Sequence, residues 1–126
     1  MPTPPKSASA LERYRAEAAA NPKSVDALAN LGWGYYGQGQ IMEALKALQD
    51  ALALDANHLE AQYGLALVYK ASGSRAEATA AFEKALALAD RLEDRVRAQM
   101  LQRLIHGHVN QLNTGDWNLG QHETHA

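Results

Sequence analysis

Apolar and small residues recur along this chain at the three- and four-residue spacings of helices, and one such pattern is written twice. Shifting residues 25–56 forward by 34 superimposes them on residues 59–90 without a gap. Leu31 falls on Leu65, Gly32 on Ala66, Tyr35 on Tyr69 and Gly39 on Gly73. Ala44 falls on Ala78, Leu48 on Phe82, Ala51 on Ala85 and Leu54 on Leu88. A fixed period of this length predicts stacked supersecondary units, none able to bury its apolar face alone. Each unit reads as a helix, a glycine turn and a second helix.

Start and stop signals divide the pattern. Ser9 and Glu12 have capping-box spacing, in which each side chain satisfies the other's unpaired backbone N–H. The helix they open is expected to stop at Asn21-Pro22, because proline disfavours helix in the residue before it. Ser24 is the expected cap of a helix over 25–37, Gly37-Gln-Gly-Gln40 its turn, and 41–54 the second helix. Asn57 with Glu60, and Ser74 with Glu77, give further capping signals ahead of helices over 59–71 and 75–89. Gly32 within the first helix costs about 1 kcal/mol of propensity against alanine, which makes sense where another helix approaches too closely for a Cβ. A last helix is expected over 92–113, packing the stripe Leu92, Val96, Met100, Leu104 and His108, with Gly107 as its weak point. Thr114-Gly115-Asp116 reads as a helix stop.

The spacing resembles the tetratricopeptide repeat, a helix–turn–helix family of this period. Leu31-Gly32, Tyr35, Gly39, Ala44, Leu48 and Ala51 match its pattern, as do Leu65-Ala66, Tyr69, Gly73, Ala78, Phe82 and Ala85. The family's early Trp is Leu28 in one unit and Gln62 in the other, and its closing Pro is Ala56 and Asp90. Pro22 takes that closing position in the N-terminal segment, and Tyr14 the place of Leu48 and Phe82. The N-terminal segment is thus the second half of a unit whose first helix is missing. The resemblance implies an all-α, right-handed superhelical stack of antiparallel helix pairs, with about six helices. Its parts would be a tail over 1–7 and a repeat domain over 8–113. That domain divides into a half-repeat (8–22), two repeats (25–58 and 59–91) and a capping helix (92–113). A C-terminal tail over 114–126 follows, whose Trp117 and Leu119 are placed to fold back on the last helix.

Composition narrows the function. Net charge is −2 with mixed signs, so nothing favours electrostatic capture of nucleic acid or of a membrane surface. There are no cysteines, which removes disulfides and thiolate metal sites and fits a reducing, cytoplasmic setting. No stretch has the length and apolarity of a membrane span, and residues 1–7 lack a signal peptide's apolar core. No serine sits in a nucleophile elbow or P-loop, so no enzyme activity and no cofactor are expected. His106 and His108 are two apart on a helix and cannot face one metal together. His122 and His125 read as solvated tail residues rather than ligands.

What remains is a surface. Beside its core stripe, each first helix carries a second stripe that in this family lines a concave groove for peptides or partner helices. Its candidate contacts are Asp26, Asn30, Trp33 and Tyr36, then Tyr63, Leu67 and Lys70, then Arg97 and Leu101. Trp33 and Tyr63 also fit a role as bridges between neighbouring helices. The family's carboxylate clamp is absent, since its Lys, Asn and Arg positions are Ala29, Trp33, Gly64, Asp94 and Ala98. The chain is therefore expected to be a non-catalytic protein-interaction module, monomeric or weakly self-associating. The other reading is a constitutive structural or assembly subunit of a larger complex.

Overall fold

The computed structural model describes residues 10–114. Among them lie six helices and no strand: α1 (Ala10–Ala20), α2 (Val25–Gly37), α3 (Ile41–Leu54), α4 (Leu59–Ala71), α5 (Arg75–Asp90) and α6 (Arg95–Thr114). Each helix packs on the next, and α2 also touches α4, so the antiparallel pairs stack with their first helices side by side. The assignments over 1–7, the Ser9 cap, the Gly115 stop, the Trp117–Leu119 fold-back and the tail histidines lie outside the described residues.

The pairs close because their crossings are small. Ala44, Ala51, Ala78 and Ala85 are fully buried, and the crossings carry Leu48 in one unit and Phe82 in the other. A Cβ added to Gly32 would stand 2.5 Å from Leu48 Cγ, which accounts for glycine in mid-helix. Each turn then needs a left-handed residue, supplied by Gly39 (φ 75°) and Gly73 (φ 81°). Two buried clusters result. Ala29, Ala44, Leu48, Ala51, Ala61 and Val68 join α2, α3 and α4. Ala66, Ala78, Phe82, Ala85 and Ile105 join α4, α5 and α6. At the other end, Leu11 and Tyr14 of α1 lie over Gly34, so the half-repeat covers the first unit.

Capping follows the sequence in part. Ser24 accepts from the Ala27 N–H, as expected. The helix after residue 57 is capped by His58 Nδ1, which accepts from the Ala61 N–H at 3.2 Å; Asn57 instead donates its own N–H to Asp55. Ser74 is the N-cap of α5, but its side chain makes no cap hydrogen bond. Buried Gln62, standing where the family has Trp, donates to the Ala56 carbonyl at 3.2 Å.

The largest departure is the phase of α6. Val96 is 78% exposed and Met100 56%, so of the predicted stripe these two do not pack, while His108 does. The helix instead buries Ala98 and Ile105, with His108, Val109 and Leu112 turned toward the second cluster. The repeat frame explains this. Val96 and Met100 lie 34 residues beyond Gln62 and Ala66, whose side of α4 faces α5. No second helix follows α6 among the described residues, so that side stays open. Gly107, 34 residues past the turn glycine Gly73, lies inside α6 instead of ending it. Reading through the turn lets Val109 and Leu112 bury apolar surface that a turn would have exposed.

The crossings give a direct test. Ala78→Leu should destabilise the protein by about 1–3 kcal/mol through overpacking. Ala80→Leu, at an exposed position, should leave the thermal melt nearly unchanged.

Candidate functional site

The inner wall of the stack is built from one side of α2, α4 and α6. Trp33 sits one residue beyond Gly32, so its side chain turns about 100° from the helix face that packs on α3. It lies against Gly64 of α4, with Nε1 3.1 Å from where a Cβ there would stand. Its indole N–H donates to the Glu60 carbonyl at 3.1 Å. Tyr36 meets it edge-on at a centroid distance of 6.2 Å, and Tyr63 is tilted against it at 5.9 Å. Tyr63 continues to Phe82 at 6.1 Å, and Phe82 stacks flat on His108 at 5.0 Å. A continuous run of rings therefore crosses from the first unit to α6.

The candidate residues separate into three groups. Trp33, Tyr36 and Tyr63 are brought together, each partly buried, and Trp33 also bridges α2 and α4. Leu67 is buried at 8% exposure and belongs to the core rather than to an open groove; Leu101 is partly buried. Asp26, Asn30 and Arg97 are exposed along the rim. Two of these are tied to a neighbouring unit. Asp26 Oδ1 accepts from His58 Nε2–H at 2.8 Å, the tautomer following from the cap at Nδ1. Arg97 donates to Glu60 Oε1 at 2.6 Å. Such exposed pairs fix register more than they stabilise, being worth about 0–1 kcal/mol.

Lys70 is not a rim charge. Its ammonium donates to His108 Nδ1 at 2.9 Å and to Gln111 Oε1, which ties α4 to the far end of α6. Since Nδ1 accepts, the His108 proton sits on Nε2 and points to Tyr63 Oη, 3.2 Å away. Sequence reasoning missed His108 and Gln111 as parts of this wall. Their contacts with Lys70 span 38 and 41 residues and leave no periodic signal in the sequence.

Burial, and the Lys70 ammonium after it, holds His108 down at about 4. Burial lowers Lys70 as well, while burial and then Tyr36 raise Tyr63. His108 is thus a neutral, stacking and hydrogen-bonding ring, and His106 on the same helix is exposed and turned away from it. Among the described residues, no group of three His, Asp or Glu side chains converges to hold a metal ion. No helix there is long and apolar enough to cross a membrane.

This geometry can be set beside known proteins. Family models described as TPR repeat and tetratricopeptide repeat match residues 34–73 and 59–91. Residues 34–91 belong to the tetratricopeptide repeat family. No curated protein matches the chain's sequence. Among solved structures, the chain is similar to PcrH, crystallised in complex with the chaperone binding region of PopD. The TM-score is 0.69 at 17% identity, covering 80% of this chain and 77% of that one. It is also similar to MamA, with a TM-score of 0.56 at 19% identity, covering 83% and 75% of the two chains. These likenesses establish the tetratricopeptide fold beyond the matched repeats.

The His108 junction predicts a pH dependence of stability. Its folded pKa of about 4 lies below the ordinary 6.5, so the unfolded chain binds the proton first. The His108 contribution is complete above pH 6.5 and is lost as pH falls toward 4. A charged ring would also face the Lys70 ammonium. The melting temperature should drop across this window, and His108→Gln should flatten that part of the curve while lowering stability at pH 7. An unchanged slope in the variant would place the titration elsewhere.

Proposed function

We propose that this chain is a non-catalytic protein-interaction module whose inner wall receives a peptide or helix from a protein partner. The observation that carries the reading is the run of partly buried rings, Trp33, Tyr36 and Tyr63, lying off the helix faces that close the stack. Aromatic side chains held by neighbours present a large apolar area at little ordering cost, and such residues dominate binding energy at interfaces. Asp26 and Asn30 would supply the polar rim. The PcrH structure supports the reading by fold, since that protein is crystallised with a segment of PopD.

A second reading, a constitutive subunit of a larger assembly, is favoured by one observation. The side of α6 bearing Val96 and Met100 is exposed where the complete units each hold a second helix. Light scattering after size exclusion separates the two: a stable lone monomer supports the module, and obligate assembly supports the subunit.

Tyr36 is the probe of the wall that carries no hydrogen bond between helices, unlike Trp33 and Tyr63, although its ring packs against both buried clusters. Peptides selected by display on the intact chain should bind Tyr36→Ala at least about tenfold more weakly, or 1.4 kcal/mol. The melting temperature should also fall, because Tyr36 packs against both clusters, so affinities are compared well below the melt, where both proteins are folded. Unaltered affinity for every selected peptide would overturn the inner-wall reading.

A further inference from the structure

Helix α6 has two opposite faces. Ala98 and Ile105, one heptad apart, are fully buried against the stack. Val96, Met100 and Arg103 lie about 200° around the helix from them, and all three are exposed. With Glu93 they make a row spaced three, four and three residues apart. Such alternation is the seam along which two helices pair side by side. The other exposed large apolar residues, Met42 and Leu54, stand at opposite ends of α3 and make no row.

The seam is its own complement. Let two copies of α6 run antiparallel about a two-fold axis level with Ala98. Val96 of each copy then meets Met100 of the other, and one step outward Glu93 of each meets Arg103 of the other. The charges for this are available. Arg95 pairs with Asp90 and Arg97 with Glu60, whereas neither Glu93 nor Arg103 enters an ion pair among the described residues. Glu93 stands just before the Asp94 cap, whose carboxylate accepts from the Arg97 N–H. A parallel pairing in register would set Glu93 on Glu93 and Arg103 on Arg103, so charge selects the antiparallel one. Antiparallel is also how α3 and α5 lie on α2 and α4 in the complete units. We propose that α6 is a self-association surface: two copies of this chain pair antiparallel along it, each α6 standing where the other's last unit has no second helix. The pairing goes beyond the inner-wall reading and does not rest on it. Few side chains meet, compared with the roughly 20–30 residues a side of a standard interface. The dimer is therefore reversible, and dilution returns a folded monomer.

Sedimentation equilibrium of the full chain, over a series rising to about 1 mM, should show monomer and dimer with nothing larger. Met100→Asp should weaken the dimer at least about tenfold and leave the melt of the dilute protein nearly unchanged, since Met100 is exposed in the monomer. Glu93→Arg and Arg103→Glu should each weaken it too, because like charges then meet. An equimolar mixture of these two variants should recover the dimer, since both of its mixed contacts again join opposite charges. A chain that stays monomeric throughout the series would overturn the proposal, whether the face is left to water or covered by another part of the chain. So would growth beyond the dimer, a dimer indifferent to Met100→Asp, or two charge variants that remain apart when mixed.

Discussion

The structure depends on how closely the two helices of each unit approach. Gly32 and Ala44 in the first unit, and Ala66 and Ala78 in the second, remove side-chain bulk where helices cross, and Leu48 and Phe82 fill what is left. Alanines make up most of the buried apolar positions, so tightness has to come from proximity rather than from large side chains. Proximity has a second effect. With one face of each first helix pressed on its partner, residues one position along the helix are turned onto the shared inner wall. Trp33 is on that wall because Gly32 is at the crossing.

The wall is a structural joint, and in the proposed function it is a recognition surface as well. Trp33 bridges α2 to the Glu60 carbonyl, and Tyr63 reaches His108 on α6. Rings held in this way are pre-ordered, which lowers the entropy lost when something lies on them. The same arrangement explains why removing them is a poor test of binding. A change at either would disturb the packing between units before it reported on a ligand.

Much of the fold was legible because a 34-residue period with glycine turns leaves few alternatives. The helix order and the crossings at Ala44 and Ala78 were readable from the repeat alone. The phase of α6 was not. Leu92, Val96, Met100 and Leu104 form a more apolar stripe than Ala98, Leu101, Ile105 and His108. The second stripe is the one that packs, because it continues the face that stacks units together. The first is oriented for a second helix that does not follow among the described residues. Hydrophobicity alone ranks the two wrongly; the repeat frame, carried one unit further, ranks them correctly. The capping roles of His58 and the Lys70–His108–Gln111 junction were illegible for another reason. They are long-range or rotamer-specific contacts with no periodic signature.

The close approach itself can be tested by the sign of a single substitution. On helix propensity alone, Gly32→Ala should stabilise α2 by roughly 0.8–1 kcal/mol. In this structure the new Cβ would lie 2.5 Å from Leu48 Cγ, an atom near the root of a fully buried side chain. The account predicts that Gly32→Ala lowers the midpoint of chemical denaturation despite the gain in propensity. A midpoint raised by the substitution would contradict it, and with it the claim that the crossing at Gly32 organises the stack.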